Sequence, residues 1–313
     1  MYYIGIDLGG TNIAAGIVDE SGKIIKKDSV PTKHERGAEA VCLDMAKLAE
    51  KLIADSGIDR AQFKAIGVGI PGLANFETGF VYKCANLYWE NVEMSKIMHT
   101  VTDLPIYLEN DATVAGLAES VAGISKGYDN SIFLTLGTGV GGGIVIGGKI
   151  YTGNNHIRSE IGHMTFDVHG EECPCGNRGC WERYASATAL INMGKKAVEE
   201  DPESLILKKA GSVDNITARD VIDSAREGDK TACKVYDQYI YYLAMGIVSL
   251  IHLFDPEIIA IGGGVSGAGE FLLEPLRKEV YKHVFCADIG YAKIELATLG
   301  NDAGIIGAAM LGK

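Results

Sequence analysis

The placement of glycine constrains this chain more than any other feature. Its 313 residues include 40 glycines, well above the usual share of roughly 7%. They gather in short runs beside strand-like segments, at Gly9-Gly10, 137–143 and 262–264. Neither a collagen period nor a flexible linker gives that placement. Without a Cβ, such runs permit tight turns or close approach of backbone to a ligand. The first two runs share one plan. Ile6-Asp7-Leu8-Gly9-Gly10-Thr11 and Thr135-Leu136-Gly137-Thr138-Gly139-Val140 each read as strand, Gly/Thr turn and returning strand. That repetition predicts two units of like topology, each giving one glycine turn to a shared cleft.

Length agrees with two domains of about 150 residues each. The 47% apolar and 22% charged fractions exclude disorder. With 29 Lys+Arg against 41 Asp+Glu the net charge is -12, which opposes general binding to nucleic acid or anionic membrane. No block of five basic residues offsets it. The opening Met-Tyr-Tyr-Ile-Gly-Ile-Asp lacks a basic segment followed by a long apolar one, so no signal peptide is read and a cytoplasmic location is expected. The longest apolar stretch, 240–254, is shorter than the roughly 20 residues a bilayer requires and is expected as a buried helix.

Strand-like runs at 3–6, 13–18 and 24–25, with Glu20-Ser21-Gly22-Lys23 as a turn, predict an opening antiparallel hairpin. Val41, Met45, Leu48 and Leu52 recur at helical spacing and predict a helix over 38–56, stopped by Gly57. Strands are expected at 65–70 and 105–108, then a helix over 111–119 with Asp111 placed as its N-cap. The plan restarts with a strand at 131–136, a glycine turn at 137–143 and a strand at 144–146. Residues 186–254 read as mostly helical. A strand at 257–261, a helix at 270–283, a strand at 293–297 and a helix at 302–310 complete the chain.

Three constellations carry chemistry. Two glycine turns present backbone N–H groups suited to phosphate oxygens. The chain has no Gly-x-x-x-x-Gly-Lys-Ser/Thr, and its first turn opens a hairpin instead of a helix, which disfavours both the P-loop and the dinucleotide fingerprint. Asp7, beside the first turn, suits either a Mg²⁺ ion or stabilisation of its own turn. Asp111 suits either a cap or a general base kept ionised by a helix N-terminus. The third constellation is Glu160-Ile161-Gly162-His163 followed by Cys173-Pro174-Cys175-Gly176-Asn177-Arg178-Gly179-Cys180-Trp181-Glu182. Three thiolates and one imidazole complete a closed, structural zinc site. His163 is the expected fourth ligand; His169 and His156 are also available, and spacing alone does not choose. Cys42, Cys84, Cys233 and Cys286 are scattered in apolar surroundings and are expected in the core.

Together, Asp7-Leu8-Gly9-Gly10-Thr11, Glu109-Asn110-Asp111, Leu136 through Gly143, Glu160-Ile161-Gly162-His163 and the Cys-x-Cys-Gly-x-x-Gly-Cys-x-Glu run closely resemble the ROK family of repressors, open reading frames and sugar kinases. The likeness runs in order over nearly the whole chain. Within the family it is nearest to bacterial ATP-dependent glucokinases, through Gly162-His163-Met164 and Gly179-Cys180-Trp181-Glu182. The resemblance implies an α/β, two-domain actin-like (ribonuclease-H-like) sugar kinase fold with an interdomain cleft and a structural zinc loop. Its expected parts are a smaller N-terminal domain over 1–118, a larger domain with the zinc loop over 119–300, and a final helix over 301–313 packing back on the first.

The resemblance also implies function and roles. It implies ATP, Mg²⁺ and structural Zn²⁺ as cofactors, and phosphorylation of a hexose 6-hydroxyl, foremost glucose to glucose 6-phosphate. By position, Asp111 matches the catalytic base, while Asn110, Glu160, His163 and Glu182 match sugar contacts. Gly72 and Asn86 resemble further sugar-loop positions. Asp7, Gly9, Gly10, Thr11, Thr138 and Gly139 match the phosphate and Mg²⁺ elements, and Gly263 and Gly264 resemble glycines near adenosine. His163 also matches the zinc ligand beside Cys173, Cys175 and Cys180. Arg183 stands where related glucokinases often carry a smaller or neutral residue and is expected to point to solvent. The implied partners are a sugar and ATP, with no nucleic acid or membrane, in a homodimer or homotetramer.

Two alternatives remain. One is a kinase for mannose, fructose, allose, N-acetylglucosamine or N-acetylmannosamine, because epimer choice rests on buried hydrogen-bond geometry that no motif carries. The other is a sugar-sensing regulator. Family repressors carry a winged-helix segment ahead of the kinase-like part, whereas here the phosphate turn begins at Asp7, so the enzyme is expected.

Overall fold

The structure, a computed structural model, describes residues 1–154, 159–285 and 287–313. It comprises two compact units. The first contains Met1–Phe133, Gly143–Ser159 and Ala297–Lys313, the second Leu134–Gly142 and Glu160–Leu296.

In the first unit, β1 (Tyr2–Leu8), β2 (Asn12–Asp19) and β3 (Ile24–Pro31) form an antiparallel meander. The helix α1 (Ala38–Ala54) follows, then β4 (Phe63–Ile70). A small antiparallel sheet comes next, built from β5 (Leu73–Asn75), β6 (Phe80–Cys84) and β7 (Trp89–Val92). Then come α2 (Met94–Met98), β8 (Ile106–Asn110) and α3 (Asp111–Ala122). The large sheet has the order β3-β2-β1-β4-β8, with β4 parallel to both β1 and β8.

Alternation along β1 divides the packing between the two faces of this sheet. Ile4 and Ile6 join Val41, Met45 and Leu52 of α1 in one core. Gly5 and Tyr3 face the other way, toward the C-terminal helix, Ala303–Met310. A Cβ on Gly5 would overlap the carbonyl oxygen of Ile305, and one on Gly67 would overlap that of Ala308. The helix backbone thus lies directly against the sheet. Isolated glycines therefore serve packing, a use that the clustered runs do not reveal.

β3 continues to Pro31, beyond the expected 24–25, because it is an edge strand and tolerates the exposed Lys26, Lys27 and Glu-free polar run that masks its pattern. The small sheet over 73–92 was not anticipated: its strands have only three to five residues, too few to establish a period.

Next along the chain are β9 (Ser131–Leu136), β10 (Val140–Ile146) and β11 (Lys149–Ile150). The expected turn at 137–143 is shorter in the structure, since Gly141, Gly142 and Gly143 belong to β10. Contact with α3 explains one of them: a Cβ on Gly143 would lie 3.1 Å from both Ala112 O and Thr113 Cα. This sheet has the order β11-β10-β9-β12-β13, where β12 is Ile258–Gly262 and β13 is Lys293–Leu296.

The helices of the second unit are α4 (Glu182–Ala185), α5 (Ala187–Glu200), α6 (Leu205–Ala210), α7 (Ala218–Arg226), α8 (Lys230–Phe254) and α9 (Glu270–His283). The helix over Ala303–Met310 in the first unit is α10. Asp229 caps α8 by accepting the Ala232 N–H at 2.8 Å. Among the described residues, no helix is long and apolar enough to cross a membrane.

Candidate active site

β1 delivers Asp7 and the turn over Gly9, Gly10 and Thr11 to one edge of the first unit. The Gly9 N–H donates to Asn12 O at 3.0 Å. Thr32 clamps the turn from outside: its hydroxyl donates to Gly9 O at 2.7 Å and its N–H to Thr11 O at 2.8 Å. Asp7 is partly buried. Desolvation, and secondarily the charge of Asp111, push its carboxyl up to about 6.

Asp111 is the exposed first residue of α3, not its cap. The cap is Asn110, held extended at φ -64 and ψ 143, whose Oδ1 accepts the N–H groups of Ala112 at 3.0 Å and Thr113 at 3.4 Å. Two adjacent cap-forming residues satisfy the same pattern, and backbone geometry selects the first. Asp111 Oδ1 also accepts the Ala112 N–H, at 2.7 Å, at the helix end where the dipole favours negative charge. The fully buried Glu109 accepts the Asn110 N–H at 2.7 Å.

The Asn110 amide reaches Gly72 O at 3.5 Å. Gly72 in turn lies so close to the end of β6 that a Cβ would stand 2.9 Å from Cys84 Cα. The buried Cys84 thiol donates to Pro71 O at 3.2 Å. Asn86 is exposed in the turn over Ala85–Leu87 that follows. The first unit therefore brings Asp7 near Asp111 and joins Asn110 to Gly72.

In the second unit, Thr138 and Gly139 form the turn between β9 and β10. The Gly137 N–H donates to Gly139 O at 3.1 Å, and Gly137 O accepts the Ala187 N–H at 2.8 Å. A Cβ on Gly139 would lie 2.5 Å from Glu182 Oε2, so this turn and the start of α4 are in contact. Glu160 O accepts the His163 N–H at 3.0 Å, and Glu182 Oε1 lies 3.6 Å from His163 Nδ1. Gly263, at φ +82, packs on β9, where a Cβ would meet Leu136 N at 2.5 Å; Gly264 opens into free space.

His163, Cys173, Cys175 and Cys180 offer four ligand atoms within 4.8 Å of one another. Donors about 2.3 Å from a tetrahedral zinc stand roughly 3.8 Å apart. Cys173 Sγ to His163 Nδ1 is 3.7 Å and Cys175 Sγ to Cys180 Sγ is 3.6 Å, so the set is compatible with structural zinc. His163 supplies the imidazole of this group, while His156 lies outside the described residues. The loop is seated by Trp181, which is fully buried and donates its indole N–H to Tyr242 O of α8 at 2.9 Å. Arg183 does not point freely to solvent. It is half-buried and pairs with Glu171 at 3.1 Å because α4 packs its first turn against that loop.

The ROK family profile matches residues 3–313. The chain belongs to the ROK family. It is similar to the glucokinase of Thermotoga maritima, 39% identical over 98% of this chain and 96% of that one. The ROK family glucokinase of Streptomyces griseus, solved with glucose and AMPPNP, has a TM-score of 0.81 at 35% identity and 99% coverage of both chains. The xylose repressor of Caldicellulosiruptor bescii is 31% identical over 97% of this chain and 76% of its own. The α/β architecture with its Cys₃His loop is thus that of the ROK sugar kinases.

Two positions in this ROK chain escaped the motif reading. Thr32 fixes the first glycine turn, and Gly304 of α10 leaves room for Asp7: a Cβ there would lie 2.5 Å from Asp7 Cγ. Both act through residues distant in sequence, which a local pattern does not report.

Proposed function

We propose that this chain transfers the γ-phosphoryl group of ATP to the 6-hydroxyl of a hexose, with glucose the preferred acceptor. The observation that carries the reading is the carboxylate pair of Asp7 and Asp111. One is half-sunk beside a phosphate-type glycine turn, and the other is exposed at a helix N-terminus whose capping duty Asn110 performs. The T. maritima glucokinase and the S. griseus complex with glucose and AMPPNP support the same reading.

Phosphoryl transfer depends mainly on positioning, charge stabilisation and one base. In this reading Asp111 accepts the proton of the attacking hydroxyl. Asn110, Glu160, His163 and Glu182 receive sugar hydroxyls, with Gly72 and Asn86 completing the sugar loop. N–H groups of the turns at Gly9-Gly10-Thr11 and Thr138-Gly139 receive phosphate oxygens, and Gly263 and Gly264 lie near the adenosine. Asp7 would hold Mg²⁺, which when bound neutralises phosphate charge; burial and the nearby charge of Asp111 make an ionised Asp7 costly, which a cation there would relieve. Zinc on Cys173, Cys175, Cys180 and His163 would fix the loop bearing Glu182 without entering the reaction.

ADP release from Mg·ATP, measured with glucose, mannose, fructose, allose, N-acetylglucosamine and N-acetylmannosamine, tests the proposal. Glucose as the best acceptor supports it, and another preferred sugar overturns the substrate while keeping the chemistry. Sugar binding with no turnover overturns the enzyme reading in favour of a sensor.

A further inference from the structure

Beside the loop that carries Asn86, the first unit holds a cavity of about 460 Å³. Tyr88, Trp89 and Glu90 line one side, and His34, Glu35 and Gly37 the other. None of these residues has a part in the phosphoryl-transfer scheme. A second cavity, of about 500 Å³, neighbours the first and shares Ala38 and Val92 in its lining.

The lining has a particular chemistry. Tyr88 is 86% exposed, and its backbone is left-handed at φ +57, a conformation that bulky side chains rarely adopt. The ring of His34 lies 6.1 Å from that of Tyr88, tilted by 32°. Together they form an aromatic surface open to solvent. The Trp89 indole is only 4% exposed, yet its N–H has no hydrogen-bond partner. Gly37, at the start of α1, gives that helix no side-chain cap, so first-turn N–H groups remain as donors at the cavity wall. Acceptors come from Glu35 and from Glu90, the latter held only at 4.0 Å by Lys83.

We propose that this cavity is a second carbohydrate site, taking an uncharged saccharide whose apolar ring face stacks on Tyr88. The donor and acceptor balance selects the ligand class. An anion would meet two carboxylates, Glu35 and Glu90. A cation would satisfy those carboxylates and the aromatic faces but could accept nothing from the uncapped start of α1. Hydroxyl groups both donate and accept, and the CH face of a pyranose suits an aromatic ring that is mostly in water. The neighbouring second cavity offers a place for a second ring, so the probe chosen is a disaccharide. The site stands on its own lining and does not depend on the hexose-kinase reading.

The chain has two tryptophans, which supplies the assay. Trp89 lines the cavity, whereas the Trp181 indole is fully buried and bonded to Tyr242 O. In ¹⁵N-labelled protein their indole N–H signals, assigned with Trp89→Phe, are separate reporters. With glucose held at saturation, maltose is added. The Trp89 signal is expected to shift saturably while that of Trp181 stays in place. Tyr88→Ala and Glu90→Gln should each weaken the response at least tenfold, Tyr88→Phe should retain it, and all three should keep the wild-type rate of glucose phosphorylation. Wild-type protein that phosphorylates no sugar would still show the maltose shift. A Trp89 signal that maltose does not move, or moves equally in Tyr88→Ala, overturns the proposal. So does a shift produced by choline or inorganic phosphate and not by maltose.

Discussion

Replacing Gly304 with alanine tests whether the position of Asp7, and not merely its presence, governs turnover. The new methyl group would overlap Asp7 Oδ2 and stand 2.5 Å from Asp7 Cγ. Ordinary carbon contacts begin near 3.5 Å, so the carboxylate or α10 must yield by about 1 Å. α10 does not shift easily, because it is packed closely on α3 as well as on the sheet: a Cβ on Gly307 would overlap the carbonyl oxygen of Val114. Asp7 therefore moves. Overpacking of this kind costs about 1–3 kcal/mol, partly offset by roughly 1 kcal/mol from replacing glycine within a helix. Stability should fall by no more than about 2 kcal/mol. A displacement of about 1 Å at a reacting centre, by contrast, lowers rate on the order of a hundredfold. Paired measurements of kcat for glucose phosphorylation and of thermal unfolding separate the two effects. The expected result is a kcat loss near a hundredfold with a modest drop in Tm. A kcat within twofold of wild type would refute the reasoning.

Other perturbations follow from the same geometry. The Asp7 carboxyl titrates higher folded, at about 6, than its ordinary value of 3.8, so the folded state binds the extra proton between those values and stability falls as pH rises from about 4 to 6. Asp7→Asn removes that loss, and denaturant unfolding at pH 7.5 without nucleotide should show it more stable by about 3 kcal/mol yet inactive; a variant no more stable than wild type would contradict the burial of an ionised group. Glu119 is fully buried and accepts N–H groups from Ile124 at 2.8 Å and from Thr298 and Leu299, each at 2.9 Å. Glu119→Ala strands these donors and should cost about 3–5 kcal/mol, read as a lowered urea midpoint. Removing zinc by chelation, with metal analysis as the control, should raise the KM for glucose and lower Tm; an unchanged KM in metal-free protein would deny the loop its part in orienting Glu182.

How much of this was legible depended on whether the signal was local. The strand over Ser131–Leu136 and the helix over Glu270–His283 have the bounds the sequence implied: Asn130 and Gly137 flank the strand, and Gly269 precedes the helix. α1 followed from Val41, Met45, Leu48 and Leu52, all of which are buried. The three thiols of 173–180 are close in sequence and meet in space with His163. Other features depend on contacts that no window contains. Gly141 to Gly143 read as a turn but lie in β10, where Gly143 faces α3. The cap of α3 falls on Asn110 and not Asp111, a difference of one residue that backbone angles settle. Thr32 and Gly304 shape the surroundings of Asp7 from 25 or more residues away along the chain, and Arg183 turns to Glu171 because α4 packs on the preceding loop.

The central claim is that Asp111 is the base for phosphoryl transfer to a hexose. It is tested most directly by comparing wild type with Asp111→Ala, with glucose and Mg·ATP, in ADP release and in glucose binding by calorimetry. Because Asp111 is exposed and Asn110 caps α3, the variant should fold and bind glucose within a few-fold of wild type. Loss of a general base should lower kcat by about 10²–10⁴. Turnover in Asp111→Ala within tenfold of wild type, with glucose binding intact, would contradict the account.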